Sequence, residues 1–349
     1  MPHLQSLTVM NALSVPIRED VPPGEGEEAR GLADLHAGKI RKDFEQQPEP
    51  RHARRGFHGK SNGIVRATVR IAADLAPSFG RGVFVPGAVY PAWVRFSNGA
   101  FAVKPDGKRD VHGLAIKLLG VPDEPRAAQF ERHSQDFILI DAPALMIGNV
   151  KQALAFDSAM VRGLAAIIPH LVSNLRELWW ILRMTSAPRQ LFEREYNSVV
   201  PFALGADETV RYVVRPAPGQ TLREAPKAAD NLRASLRAQL EQGDFVLELC
   251  LQPRGNSNLP IEDARVPWNT AVHRVATITL HAEGFGTAEQ EQLGDRMSFN
   301  PWNALEVHRP LGGLNRARRV VYRMVYELRS RLNGQEPFEP RAPEQSRQQ

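Results

Sequence analysis

Four residues near the end of the chain, Arg318, Tyr322, Val325 and Arg329, are separated by four, three and four positions. At about 100° per residue on an α-helix they fall within roughly 60° of one another, so they share one stripe. A phenol with a guanidinium one turn before it and another two turns after it has a chemical use. Its pKa is ordinarily about 10, and ionisation at neutral pH requires nearby cations or a metal. An inward-facing arginine in turn requires an anion. The other reading of the stripe is a tyrosine at a helix interface with solvated arginines. Further upstream, RRGFHGKSNG places Arg55 three residues before His58, and AWVRFSN carries Arg95 and Ser97. Taken alone, His58 reads as a surface or capping histidine and Ser97 as a strand hydroxyl.

The elements that must position these groups follow from periodicity. Val321, Met324, Val325 and Leu328 give the Tyr322 helix an apolar face, leaving Arg316, Arg319 and Arg323 as an outer, solvated set. Short β-like runs, GIVRATVRIA, AWVRFSN, GLAIKLLG and DFILIDAP, are separated by Gly, Pro, Asp and Asn clusters and predict an antiparallel barrel or meander. Residues 150 to 194 read as helical, with a break at Pro169 and a stop near Ala187-Pro188. Strands return in ETVRYVVRPAP, FVLELCLQPR and RVATITLHAEG, with one helix, NLRASLRAQLEQ, among them. The predicted class is α+β with one main β core. Residues 1–47 form an N-terminal arm, 48–333 the main domain and 334–349 a disordered tail.

Composition excludes several functions. The 349 residues carry 44 Lys+Arg against 39 Asp+Glu, a net charge of +5 scattered along the chain, which argues against nucleic acid as partner. A single cysteine, Cys250, rules out an internal disulfide framework and a zinc site built on several thiolates; its strand context reads as a buried, inert thiol. VRGLAAIIPHLVSNLRELWWILRM is interrupted by Arg162, His170, Asn174, Arg176, Glu177 and Arg183, so no membrane span is expected; a helix pair over a core or a lid is preferred to interfacial membrane binding. The first twenty residues lack a secretory signal, which predicts a cytoplasmic protein. No GxGxxG, GxxxxGK[ST] or HExxH motif occurs.

The order of these motifs resembles the haem catalase family over roughly His52 to Leu332. That family has a distal histidine in an Arg-x-x-His-x-Lys context, matched by Arg55, His58 and Lys60. An Arg-Phe-Ser strand follows, matched by Arg95 and Ser97, and then an Asp-x-x-Gly-x-Ala-x-Lys strand, matched by RDVHGLAIKL. The family's Phe-x-Pro element and its proximal Arg-x-x-x-Tyr helix are matched by GDRMSFNPWN and by Arg318 with Tyr322. A competing register on RMSFN, Arg296 to Asn300, would leave no tyrosine, whereas the Tyr322 register also supplies Arg329 two turns later.

The resemblance implies haem b as cofactor, Tyr322 as the axial ligand of its iron, Arg318 beside the phenolate, and Arg55, Arg95 and Arg329 on the haem propionates. It implies His58 as the acid–base group and Ser97 as its orienting partner. The family's distal asparagine pair is replaced by Ile140-Asp141, leaving Asp141 as the nearby polar candidate, and Leu145 and Met146 replace bulky aromatics; His112 reads as structural. The implied function is catalase- or peroxidase-type cleavage of hydrogen peroxide or organic hydroperoxides. Two alternatives stay open: isomerisation or dehydration of a fatty-acid hydroperoxide, as in coral allene oxide synthase, and a non-enzymatic haem carrier. Gly56 and Phe57 stand where lipid-hydroperoxide members tend to have threonine before the distal histidine, which counts against the first; Leu178 to Leu182 could line a channel for a long substrate, and core packing explains that segment equally well. The small-molecule partner is a peroxide, and the arm from Pro22 to Gln47 together with family analogy suggests a homo-oligomer.

Overall fold

The computed structural model describes residues 17–223, 230–255 and 258–342; parts of the arm (1–16) and of the tail (343–349) lie outside the described residues. The described residues hold nine antiparallel strands. These are β1 (Lys60–Ile71), β2 (Val89–Asn98), β3 (His112–Leu119), β4 (Ser134–Ile140), β5 (Tyr196–Asn197), β6 (Phe202–Leu204), β7 (Glu208–Pro216), β8 (Phe245–Pro253) and β9 (His273–Leu280). The sheet order is β5-β4-β3-β2-β1-β9-β8-β7-β6, and β5 pairs with β7 as well as with β4, so the sheet closes on itself as a barrel. The long runs read from alternation are seven of these strands; the short β5 and β6 carry too little pattern to be seen in sequence.

Period-two alternation sorts the side chains. Val65, Val94, Phe96, Leu114, Ile116, Phe137, Leu139, Tyr212, Leu249 and Ile278 are each 1% exposed or less and fill the interior. Across β2, β3 and β4 the register aligns Arg95 with Ala115 and Ile138, and Ser97 with Gly113 and Ile140, on the outer face. Cys250 on β8 is buried, and burial pushes its thiol up to about 11, in keeping with an inert side chain.

Among the described residues, seven helices surround the barrel: α1 (Glu25–Glu45), α2 (Val150–Arg162), α3 (Leu164–Ser173), α4 (Leu175–Met184), α5 (Leu232–Leu240), α6 (Ala288–Arg296) and α7 (Gly313–Leu332). The predicted break at Pro169 lies elsewhere. The chain turns at Gly163, whose φ of 91° suits glycine, and at Asn174; Pro169 stays inside α3, where the carbonyl it leaves without a donor belongs to the exposed Ala165. The arm helix α1 packs on α7 and α2 through Ala29, Leu32, Ala33, Ala37 and Ile40. Arg316 is not solvated as the helix projection suggested. It is half-buried and bonds Glu19, Glu25 and Glu262, tying arm and loop to the start of α7.

Candidate active site

A cavity of about 410 Å³ lies between the outer face of β2–β4 and helix α7. Its wall contains His58, Arg95, Ser97, Gly113 and Ala115 from the barrel side, Tyr322, Val325 and Arg329 from α7, and Arg55 from the segment before β1. Two groups that stand 264 positions apart in sequence, His58 and Tyr322, therefore face one space.

His58 is fixed by its neighbours rather than by its own preference. Its φ of 56° is left-handed, a conformation that costs a non-glycine residue on the order of 1 kcal/mol. Three bonds offset that cost: its amide donates to Gly99 O at 3.2 Å, its carbonyl accepts from Arg95 Nη2 at 2.7 Å, and Nδ1 pairs with Ser97 Oγ at 3.0 Å. Burial, with Arg95, Arg318 and His112 adding repulsion, lowers its pKa to about 3, so the imidazole is neutral at neutral pH.

At one end of the cavity Arg55, Arg95 and Arg329 gather. Arg55 donates to the carbonyls of Gly294, Asp295 and Met297, and Arg329 to that of Asp295. Burial, and then mutual repulsion, holds Arg55 well below its usual pKa and lowers Arg95 to about 10; burial also lowers Arg329. One carboxylate, Asp295, stands among them, 3.9 Å from Arg55 and shared with His52 at 3.0 Å. Glu291, which also acts on Arg95, is paired with Arg233. Among the described residues the trio thus carries an excess of two positive charges, and Nε of both Arg95 and Arg329 is buried with no partner. Such a cluster fits a ligand bearing two carboxylates.

Asp141 does not line the cavity. Because Ile140 is paired with Gly113, the next residue turns to the opposite face. There the Asp141 carboxylate accepts from the His112 amide at 2.7 Å and from Arg194 Nε at 3.1 Å, and contacts His112 Nδ1 at 3.0 Å. His112 is fully buried, consistent with a structural place, though its Nε2 has no partner among the described residues. None of Leu178 to Leu182 lines the cavity either, and Leu182 is exposed. Arg318 is half-buried, its Nη1 3.4 Å from Asn315 Oδ1.

Several wall residues escaped the sequence reading. His36 of α1 pairs with Asp157 at 2.8 Å and meets the rings of Phe57 and Phe101 edge-on; its signal was a histidine within the Leu32, Ala33, Ala37, Ile40 stripe. Glu131 and Ser298 belong to a polar network around the buried Lys117, which lies 2.5 Å from Glu131 and 2.7 Å from Asp136. Phe338 and Glu339, from the segment read as a tail, also reach the wall. Phe338 N donates to Tyr326 Oη at 3.2 Å, and Glu339 accepts from the amides of Arg132 and His133.

No protein-family model and no curated protein sequence matches the chain. Among solved structures it is similar to a fungal catalase (14% identity, TM-score 0.65, covering 82% of this chain and 63% of that one). A bacterial catalase aligns at 16% identity with TM-score 0.61, over 100% of this chain and 73% of that one. Catalase A from Saccharomyces cerevisiae aligns at 14% identity with TM-score 0.63, over 85% and 65%. The chain spans less than two thirds of the fungal and yeast enzymes. At these identities the likeness concerns architecture: a closed antiparallel barrel with surrounding helices, which is the catalase fold.

Proposed function

We propose that the protein is a haem-dependent hydroperoxide-cleaving enzyme of peroxidase or catalase type. The observation that carries this reading is the cavity in which His58 and Tyr322 face one space, ended by three arginines with two uncompensated positive charges. Haem b has two propionates, which match that excess, and the Tyr322 phenol on α7 would offer an oxygen ligand to its iron. When bound, haem would supply the iron centre at which an O–O bond breaks. Arg55, Arg95 and Arg329 would hold its carboxylates, and Arg318, one turn before Tyr322, would favour the anionic phenol.

His58 carries the proton. In the tautomer whose Nδ1–H donates to Ser97 Oγ, the neutral ring would leave its Nε2 lone pair free. Nε2 would take the hydroperoxide's proton and return it to the departing oxygen, which then leaves as water or an alcohol. The outward side chains of the barrel-side wall beside it, Ala115 and Ile138, are apolar, and Asp141 is engaged elsewhere. That lining favours an organic hydroperoxide over hydrogen peroxide as the better substrate.

The test is an absorption spectrum of protein expressed with ample haem, before and after peroxide. A Soret band that shifts in Tyr322→Phe, with turnover lost in His58→Ala, is expected. Protein that never acquires a Soret band, or a spectrum unaltered by Tyr322→Phe, would sink the assignment.

A further inference from the structure

Seven of the twelve large apolar side chains exposed among the described residues lie in one stretch of the chain: Met160, Leu164, Ile168, Val172, Leu175, Trp179 and Leu182, each 40–76% exposed. Within each helix they recur at helical spacing, Leu164, Ile168 and Val172 on α3 and Leu175, Trp179 and Leu182 on α4, with Met160 near the end of α2, so each segment leaves an apolar side exposed although the chain turns at Gly163 and Asn174 between them. Core packing does not use these sides. The inner side of the same helices, with Ile167, Leu171, Ile181 and Met184, already covers Phe156, Ala159 and Met146. Helices apolar on both sides, with one side left in water, imply a second apolar surface.

Charge selects the occupant. Between Met160 and Met184 the exposed charged side chains are Arg162, Arg176 and Arg183, whereas the acid of that segment, Glu177, is buried against His170 at 2.7 Å. Arg183 lies over the Trp179 ring at 4.7 Å, and Arg109 donates to the carbonyls of Leu182 and Thr185 at the end of α4. A two-fold contact between copies would set this cationic face against itself. An apolar ridge with a cationic rim and an exposed tryptophan is instead complementary to an anionic phospholipid surface. No helix among the described residues is long and apolar enough to cross a membrane, so the contact would be parallel to the surface.

We infer that α3 and α4 form a peripheral membrane-docking face that inserts Leu164, Ile168, Val172, Leu175, Trp179 and Leu182 at the interface of an anionic bilayer. This inference is independent of haem and of peroxide chemistry, because its readout is binding.

The test is flotation of the full chain with vesicles of phosphatidylcholine alone or mixed equally with phosphatidylglycerol. Partition at low salt is expected to rise at least tenfold with phosphatidylglycerol, and to fall at least tenfold in Leu164→Gln/Val172→Gln/Leu175→Gln. These three side chains are exposed, so that variant should keep the wild-type melting temperature. Replacing Arg162, Arg176 and Arg183 by Gln should abolish the preference for anionic lipid. Wild-type protein that stays unbound, a triple glutamine variant that floats equally well, or equal binding to neutral vesicles would overturn the inference. So would lipid-free self-association that the same triple variant abolishes, which would assign the face to a second copy.

Discussion

Gly113 lies beneath the His58 imidazole so closely that a Cβ on it would stand 2.5 Å from Nδ1, 2.6 Å from Cε1 and 3.0 Å from Ser97 Oγ. The strand register that pairs Gly113 with Ser97 thus leaves space for the ring only because one of the two has no side chain. Gly113→Ala should push the imidazole off Ser97 and reduce peroxide turnover at least tenfold, while shifting stability by no more than about 1–3 kcal/mol. Steady-state rates beside a thermal melt check it; wild-type turnover in a folded variant would show that the His58 position is not critical.

The arginine trio should oppose folding until an anion arrives. Arg329→Met is predicted to stabilise haem-depleted protein by on the order of 1 kcal/mol, since it removes a buried charge that repels Arg55 and Arg95. The same change should weaken haem binding tenfold or more. Denaturant unfolding of the haem-free protein and a Soret titration read the two effects separately, and a change of the same sign in both would contradict the charge argument.

Acid should destabilise the protein through His58. Its folded pKa of about 3 lies below the unfolded 6.5, so the unfolded chain binds more protons between these values. Its contribution is therefore complete above pH 6.5 and declines as pH falls toward 3, by at most about 1.4 kcal/mol per unit. His308, lowered to about 4 by burial, acts in the same direction. Stability measured from pH 7 to 4 should fall less steeply in His58→Gln than in wild type; parallel curves would refute the assignment.

Lys117 balances two buried carboxylates on the outer face of β3. Burial pulls its pKa down, but Asp136 and Glu131 outweigh this and hold it above its usual value. Lys117→Met should cost about 4 kcal/mol by leaving both acids unpaired. Part of that loss should be recovered in Lys117→Met/Asp136→Asn, a comparison that equilibrium unfolding resolves.

Much of the architecture was legible because its signals are local. Alternation along GIVRATVRI and FILI marks strands with one face in the barrel interior, and the four, three, four spacing of Arg318, Tyr322, Val325 and Arg329 fixes one helix stripe without knowledge of what it faces. Cys250 could be read as buried from its apolar strand alone.

What sequence could not supply depends on register and on partners far along the chain. Which face Asp141 takes is decided by one residue of strand pairing, because side chains alternate with period two, and neither it nor Ile140, which packs with Ala142, Met184 and Val199, lines the cavity. Arg316 looked solvated on its own helix, yet Glu19, Glu25 and Glu262 meet it from distant segments. The same holds for the steric fit of Gly113 against His58, and for the unbalanced charge of Arg55, Arg95 and Arg329. These contacts join segments separated by 40 to 297 positions, and only the folding of barrel, arm and α7 together sets them.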